Sequence, residues 1–278
     1  ATPTLGEMYV TLRKLERFDA PAFGRFLEEN RPFSLRIEGT LAESGGVERL
    51  WVDDEESPSL LVHRTMGRLG LLGSPEAAVE HLGNLEKMAA EMDAAGEKPR
   101  HLPPEGENCV LRLNAAPPEM RDTLTRERSL VRENGCGLFT LSEEEFTPFE
   151  EGPPVGRIRE DEIPIVSKFA DYGEIESYVS ERIARAPHAA VRVGGELAAY
   201  MIVHDNGSIG MLHTLEKFRN RKLGRRVASA LARIQLERGR PVYCYIVDGN
   251  APSARVFTSL GFRRAADVSW VVYERRAD

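Results

Sequence analysis

The sequence predicts an α/β protein built as two halves of similar size. Three observations carry this. The chain has 278 residues, enough for one large domain or two ordinary ones. Short apolar runs of strand type alternate with stretches whose apolar residues recur at helical spacing. A break at Glu150-Glu151-Gly152-Pro153-Pro154, where glycine and paired prolines stop helix and strand alike, separates 1–150 from 155–278.

In the first half, Leu5, Met8, Tyr9, Leu12 and Leu15 lie at helical spacing. Arg49 to Val52 and Ser59 to His63 read as strands around the acidic turn Asp53 to Pro58, and Leu69 to Leu72 as a third. Ser74-Pro75 is an N-cap followed by proline at the first helical position. Val79, Leu82, Leu85, Ala89 and Met92 then mark one face of a helix that Gly96 ends, and Pro118 to Asn134 reads as another, stopped by Gly135. In the second half, Val155 to Arg159 reads as a strand, then Glu162 to Phe169 and Glu174 to Ala186 as helices. Ala189 to Val193 and Leu197 to His204 form a hairpin through Gly194-Gly195. Asp205-Asn206-Gly207 turns the chain into a strand over Ser208 to Thr214. A basic loop leads into a helix from Leu223 to Arg238, capped by Gly239. Val242 to Val247 is a β-branched and aromatic strand, Pro252 to Leu260 a short helix, and Val268 to Glu274 the last strand.

Composition excludes several classes. Hydrophobic residues make up 41% and charged residues 29%, unlike a disordered chain. No run approaches the ~18 apolar residues of a membrane span, and Ala1-Thr2-Pro3-Thr4 has neither the basic region nor the apolar core of a signal peptide. Cys109, Cys136 and Cys244 are odd in number and far apart, as expected of free thiols in a cytoplasmic protein. The six histidines and three cysteines show no metal-ligand spacing, so no metal is expected. The net charge of −7 is unevenly distributed: residues 1–154 carry 17 basic and 29 acidic side chains, residues 155–278 carry 20 and 15. An acidic half joined to a basic half suggests different electrostatic tasks, or drift in surface composition.

Much of the second half's positive charge lies in one place. Lys217, Arg219, Arg221, Lys222, Arg225 and Arg226 fall within ten residues, between a strand and a helix. A helix start directs free N–H groups and the positive end of its dipole at one spot, where a phosphate binds well. A solvated basic helix start would look the same. The glycine-rich Walker loop ending in Gly-Lys-Ser/Thr is missing. Nucleic acid is a poor fit, because the chain is acidic overall and no aromatics interleave the cations.

The order strand, Arg-rich turn, helix, strand, Asn, helix, Gly-Phe resembles the acyl-CoA-dependent N-acyltransferase superfamily known as GNAT. Its pyrophosphate signature, Arg/Gln-x-x-Gly-x-Gly/Ala, falls on Arg219 to Gly224, with Lys222 where the first glycine stands. A second signature is met by Asn250, Ser253, Phe257 and Leu260-Gly261-Phe262. Within the superfamily the chain is most similar to the glycine N-acyltransferase-like branch. The similar stretches are Lys168-Phe169 with Tyr172-Gly173, Arg182 to Pro187, His213-Thr214, Pro241-Val242-Tyr243, Asp248 with Asn250, and Trp270. The resemblance covers about 155–276 and more weakly Leu50 to Asp54 with Pro58 onward. It implies a tandem GNAT-like fold: a mixed, mostly antiparallel central sheet flanked by helices. The 1–150 copy is degenerate and holds no second Arg-x-x-Gly-x-Gly frame.

The resemblance further implies acetyl-CoA or another acyl-CoA as cosubstrate and a small-molecule amine or amino acid as acceptor, with no nucleic-acid or membrane partner. Leu212, His213 and Thr214 would pair with the pantetheine and hold the thioester carbonyl. Asn220, Arg221, Lys222, Leu223 and Gly224 would hold the pyrophosphate, with Arg219, Arg221 and Arg225 on phosphate oxygens. Asn250, Ser253 and Phe257 would line the pantetheine arm, Asn250 also fitting as an N-cap for the next helix. The branch's glutamate base falls at Ser208 and the usual tyrosine donor at Phe257. Ser208 and His213 are therefore the catalytic candidates, with His213 the better base and Glu216 and Asp205 weaker ones. A CoA-binding protein with weak or no catalysis is the alternative. The acidic half would shape an acceptor site suited to a cationic amine.

Overall fold

The computed structural model describes residues 11–44, 49–65, 67–97, 109–168 and 176–276. They form two compact units. The first is drawn from Ala1–Ser34, Gly46–Cys136 and Asp267–Asp278, the second from Leu35–Gly45 and Gly137–Ala266. Among the described residues no helix is long and apolar enough to cross a membrane.

The first unit contains β1 (Arg13–Lys14), α1 (Pro21–Glu29), β2 (Leu50–Val52), β3 (Leu60–Thr65), β4 (Arg68–Gly73), α3 (Pro75–Glu80), α4 (Leu82–Ala94), β5 (Cys109–Ala116) and α5 (Pro118–Glu127). Its strands follow the order β1-β2-β3-β4-β5, antiparallel except that β4 and β5 are parallel at Leu69 and Leu113. Beyond β5 the ladder continues with the end of β12 (Arg263–Glu274), the chain's last strand. Leu69, Leu71, Leu111 and Leu113 meet Leu82, Leu85 and Met92 of α4, Leu124 of α5 and Val271 of β12 in one core.

The second unit begins with α2 (Leu35–Ser44) and continues with the second part of β6 (Ser129–Leu141). It then adds β7 (Val155–Gly156), α6 (Ile163–Lys168), α7 (Glu176–Arg185), β8 (His188–Val193), β9 (Glu196–Val203), β10 (Ile209–Thr214), α8 (Leu223–Glu237), β11 (Val242–Val247) and α9 (Ala251–Thr258). A four-stranded antiparallel sheet has the order β10-β9-β8-β7, while β11 is bonded to β6. Alternation sends Ala199, Met201 and Val203 of β9 to one face, against Val227, Ala228 and Leu231 of α8. Tyr200 and Ile202 go to the other, against Val166 of α6 and Val179 and Ile183 of α7. The face under α7 also holds Arg182, 2% exposed, whose Nε donates to Val203 O at 3.0 Å. Glu43 of α2 accepts from Arg238 at 2.9 Å and lies 4.0 Å from Arg182.

Several sequence expectations need correction. Leu5, Met8, Tyr9 and the Phe169 to Gly173 stretch lie outside the described residues. Leu12 and Leu15 are not helical; Arg13 and Lys14 between them pair with Val52 and Trp51 as a strand edge. The helix expected from Ser74 to Gly96 is two helices, broken at His81, which ends α3 and begins α4. The helix expected from Pro118 to Asn134 stops at Glu127, and Ser129 onward is β6, where ladder pairing overrides a charged, helix-tolerant sequence. The strand from Val155 is limited to two residues, and β12 begins five residues earlier than expected. The acidic run and linker between Ser142 and Pro154 hold neither helix nor strand.

Candidate active site

The site residues converge where the second unit's two sets of strands part. β10 and β11 lie side by side, yet β10 is bonded only to β9 and β11 only to β6. Two neighbouring strands that share no ladder leave backbone N–H and C=O groups facing the gap, and these groups need a partner. β10 adds a bulge: its register with β9 shifts between Gly210 and His213, and Met211 adopts a left-handed φ of 52°. A bulge re-aims backbone groups and side chains locally. At its start the gap is tied by Tyr243 of β11, whose hydroxyl donates to Asn206 O in the turn before β10.

At its far end the gap meets the basic loop and the first turn of α8. Asn220 and Lys222 both have left-handed φ, 61° and 57°. Lys222 is the N-cap residue of α8, and no side chain caps that helix. Its first N–H groups therefore remain directed at the loop. Gly224 sits against β10: a Cβ there would lie 3.1 Å from Thr214 Oγ1 and 3.8 Å from Leu212 Cδ1. Arg219 donates from Nε to Thr214 O at 3.4 Å and is exposed, as are Arg221 and Lys222. Arg225 donates to Ser259 O at 2.9 Å and stacks 4.6 Å over Phe149, while Arg226 reaches Pro153 O and Phe149 O. Among the described residues, only Lys217 of the six cations is paired with a carboxylate, Glu196. Uncapped N–H groups, unneutralised cations and a glycine at the point of closest approach fit a polyphosphate.

The remaining candidates divide. Leu212, His213 and Thr214 line β10 after the bulge. His213 stands opposite Tyr200 and stacks on its ring at 5.6 Å. Asn250 caps α9, its Oδ1 accepting from Ser253 N at 3.1 Å, which leaves the amide nitrogen available to a ligand. Phe257 is buried edge-to-face against Phe262 at 5.0 Å. Ser208 is 3% exposed and its hydroxyl donates to Asn206 Oδ1 at 2.7 Å, closing the turn. Cys244 faces the core, where burial pushes its thiol well above the usual range, so it is no nucleophile. Tyr243 and Tyr245 meet edge-to-face on the opposite face of β11.

The resemblance implies that the strand before the basic loop splays from the next one, and β10 and β11 do part. The sequence reading missed two features here. The left-handed Met211 leaves no local signal, since a non-glycine residue rarely adopts that conformation. The second is a buttress beside the bulge. Tyr178 of α7 places its hydroxyl 2.8 Å from His204 Nδ1, and burial lowers the His204 pKa to about 4. The sequence signal that was available is the pair His204-Asp205 directly after a central strand.

The first unit repeats the connection strand, helix, parallel strand, helix, strand from β4 to β6, but not the site. β4 and β5 are bonded to each other. The helix start after β4 is filled by its own chain: Ser74 Oγ accepts from Ala77 N at 3.2 Å and donates to Glu76 in the same turn. An acidic first turn with its cap in place repels a phosphate. The unit also has an open cavity of about 460 Å³ lined by Glu86, Asp93, Cys109 and Arg275, but both carboxylates are committed, to Arg128 and Arg112. Among the described residues no group of three His, Cys, Asp or Glu could hold a metal.

The family model described as FR47-like protein matches residues 191–271, from β8 to β12. No curated protein matches the chain. Among solved structures, a GCN5-related N-acetyltransferase from Sphaerobacter thermophilus superposes with a TM-score of 0.59 at 13% identity, covering 96% of each chain. One from Kribbella flavida gives 0.58 at 14% identity over 89% of this chain and 96% of its own. A tandem GNAT protein from the clavulanic acid biosynthesis pathway gives 0.52 at 15% identity over 96% of this chain and 99% of its own. The fold is thus the tandem GNAT fold, a large mostly antiparallel sheet system flanked by helices.

Proposed function

We propose that the protein transfers an acyl group, most simply acetyl, from acyl-CoA to the amine of a small molecule or amino acid. The observation that carries this reading is the unbonded pair β10 and β11 ending at an uncapped, cation-rich helix start. Asn220 to Gly224 would hold the pyrophosphate with their backbone N–H groups, assisted by Arg219, Arg221 and Arg225. The backbone of Leu212, His213 and Thr214 would pair with the pantetheine arm, helped by Asn250, Ser253 and Phe257. The cosubstrate supplies a thioester carbonyl open to attack by an amine. An N–H freed by the β10 bulge would donate to the carbonyl oxygen as negative charge develops on it. The organisation we propose is a degenerate copy over 1–150 and a working one over 155–278, in the glycine N-acyltransferase-like branch and located in the cytoplasm.

Ser208 and Phe257 favour a second reading. Ser208 stands where the resemblance places the base and Phe257 where it places the proton donor, and the first is locked into a turn while the second is buried. A CoA-binding protein without catalysis would look like this. Incubating the protein with acetyl-CoA and a panel of glycine, spermidine and tyramine while following free thiol separates the two. Amine-dependent thiol release supports transfer; tight CoA binding with no release across the panel supports the second reading.

A further inference from the structure

Resting on the acyl-transfer reading, we infer that His204 is the base that takes the proton from the acceptor amine, with Tyr178 and Asp205 as its positioning residues. His204 follows β9 and its backbone N–H donates to Ser208 O at 2.8 Å, so it stands at the mouth of the turn into β10. Its Nε2 lies over Gly210: a Cβ on Gly210 would come within 2.4 Å of that nitrogen. Gly210 is the last residue of β10 in register before the bulge at Met211. The imidazole therefore reaches the bulge because this position carries no side chain. Ser208 cannot take its place, with its hydroxyl spent on Asn206, and His213 is stacked on Tyr200.

The groups behind the ring fit a base. Tyr178 lies 2.8 Å from Nδ1, accepts from Asp205 N at 3.4 Å and donates to Asp205 Oδ1 at 3.4 Å. The only arrangement of protons that uses all three contacts has Nδ1–H donating to the phenol and the phenol donating to the carboxylate. Nε2 then carries a lone pair facing β10. The charged groups that face His204 are Asp205 on its own turn and Arg182 on α7; burial outweighs both and keeps the ring neutral at physiological pH. When Nε2 takes a proton, the imidazolium keeps its Nδ1–H bond to Tyr178, and the phenol keeps its bond to Asp205. A site with serine at the base position and phenylalanine at the donor position would then still move a proton.

The step balances. The amine lone pair forms the C–N bond, His204 Nε2 takes one N–H proton, and the C–S bond breaks with its electron pair on sulfur. The imidazolium then returns the proton to that sulfur, and the ring is neutral again.

Two measurements test this. Nitrogen NMR of the imidazole side chains in the ligand-free protein should show His204 neutral at pH 7 with its proton on Nδ1, and Tyr178→Phe should shift that signal by removing its hydrogen bond. A His204 proton on Nε2 overturns the inference, because no lone pair then faces β10. In the thiol-release assay, His204→Gln should bind acetyl-CoA as the wild type does but lose about 100-fold or more in kcat. Tyr178→Phe should lose less, with KM for acetyl-CoA unchanged. A His204→Gln kcat within a few-fold of wild type overturns the base assignment and leaves acyl transfer standing. Wild-type protein that binds CoA and acylates nothing in the panel overturns the acyl-transfer reading itself.

Discussion

Tyr243 and Asn206 tie together two strands that share no ladder: the Tyr243 hydroxyl on β11 donates to the Asn206 carbonyl in the turn before β10. The gap between the strands is thereby held at one end and free at the other, where α8 begins. Tyr243→Phe leaves the carbonyl without that donor. We expect a loss of about 1–2 kcal/mol, read from urea unfolding midpoints. An unchanged midpoint would show that water replaces the bond at no cost.

The same turn is packed backbone to backbone against α2. A Cβ on Gly39 would lie 1.9 Å from Asn206 O, and one on Gly207 would lie 2.7 Å from Gly39 Cα. Alanine normally favours a helix over glycine, but here the steric cost decides the sign. Gly39→Ala should destabilise the protein by roughly 1–3 kcal/mol, whereas Gly83→Ala on α4, with open space around it, should not. Comparing the two melting curves checks this.

Lys222 occupies the backbone conformation for which the superfamily's motif carries glycine. Its left-handed φ of 57° means that the loop accepts the strain of a side chain. Lys222→Gly should therefore be more stable than Lys222→Ala by about 1 kcal/mol, since both variants lose the same charge. Equal stabilities would mean that the loop relaxes in the alanine variant.

Arg219 is exposed and lies in the loop; Arg233 is half-buried on the body of α8, paired with Glu150. Arg219→Ala should weaken CoA binding by roughly tenfold at low salt, an effect that shrinks as ionic strength rises. Arg233→Ala should leave it unchanged. Titration calorimetry in two salt concentrations tests both, and equal losses would contradict the loop assignment.

His204 also makes stability depend on pH. Its folded pKa of about 4 lies below the ordinary histidine value, so between the two the unfolded chain binds more protons than the folded one. Stability is complete above the ordinary value and falls as pH drops through this window, by at most about 1.4 kcal/mol per pH unit from this residue. His188, also lowered by burial, acts in the same direction. His204→Gln should flatten the decline of the urea midpoint between pH 6.5 and about 4. A slope identical to wild type would show that His204 is not held neutral.

Much of the second unit was legible because its signals are local. Gly194-Gly195 announced a hairpin, the spacing of Leu223, Val227 and Leu231 announced α8, and Asn250 with Pro252 announced the cap of α9. The first half was less legible. β5 and the strand part of β6 carry no clean alternation, since Ser129 to Gly135 is charged and half exposed, and their strand character comes from the partners they pair with. The division of the chain was hidden for the same reason. Compact units that split inside β6 and β12, with α2 counted in the second, cannot be read from a proline-rich linker at 150–154.

By itself the sequence determined the order of elements in the second half, the charge concentrated at one strand-to-helix turn, and the motif that points to a CoA phosphate. Each depends on residues within one turn or one helical repeat of each other. Only the tertiary structure decided that β10 bulges at Met211, that α8 starts without a side-chain cap, and that Tyr178 stands behind His204. Those features arise from contacts between residues tens of positions apart, where burial, backbone pairing and close packing outweigh local preference.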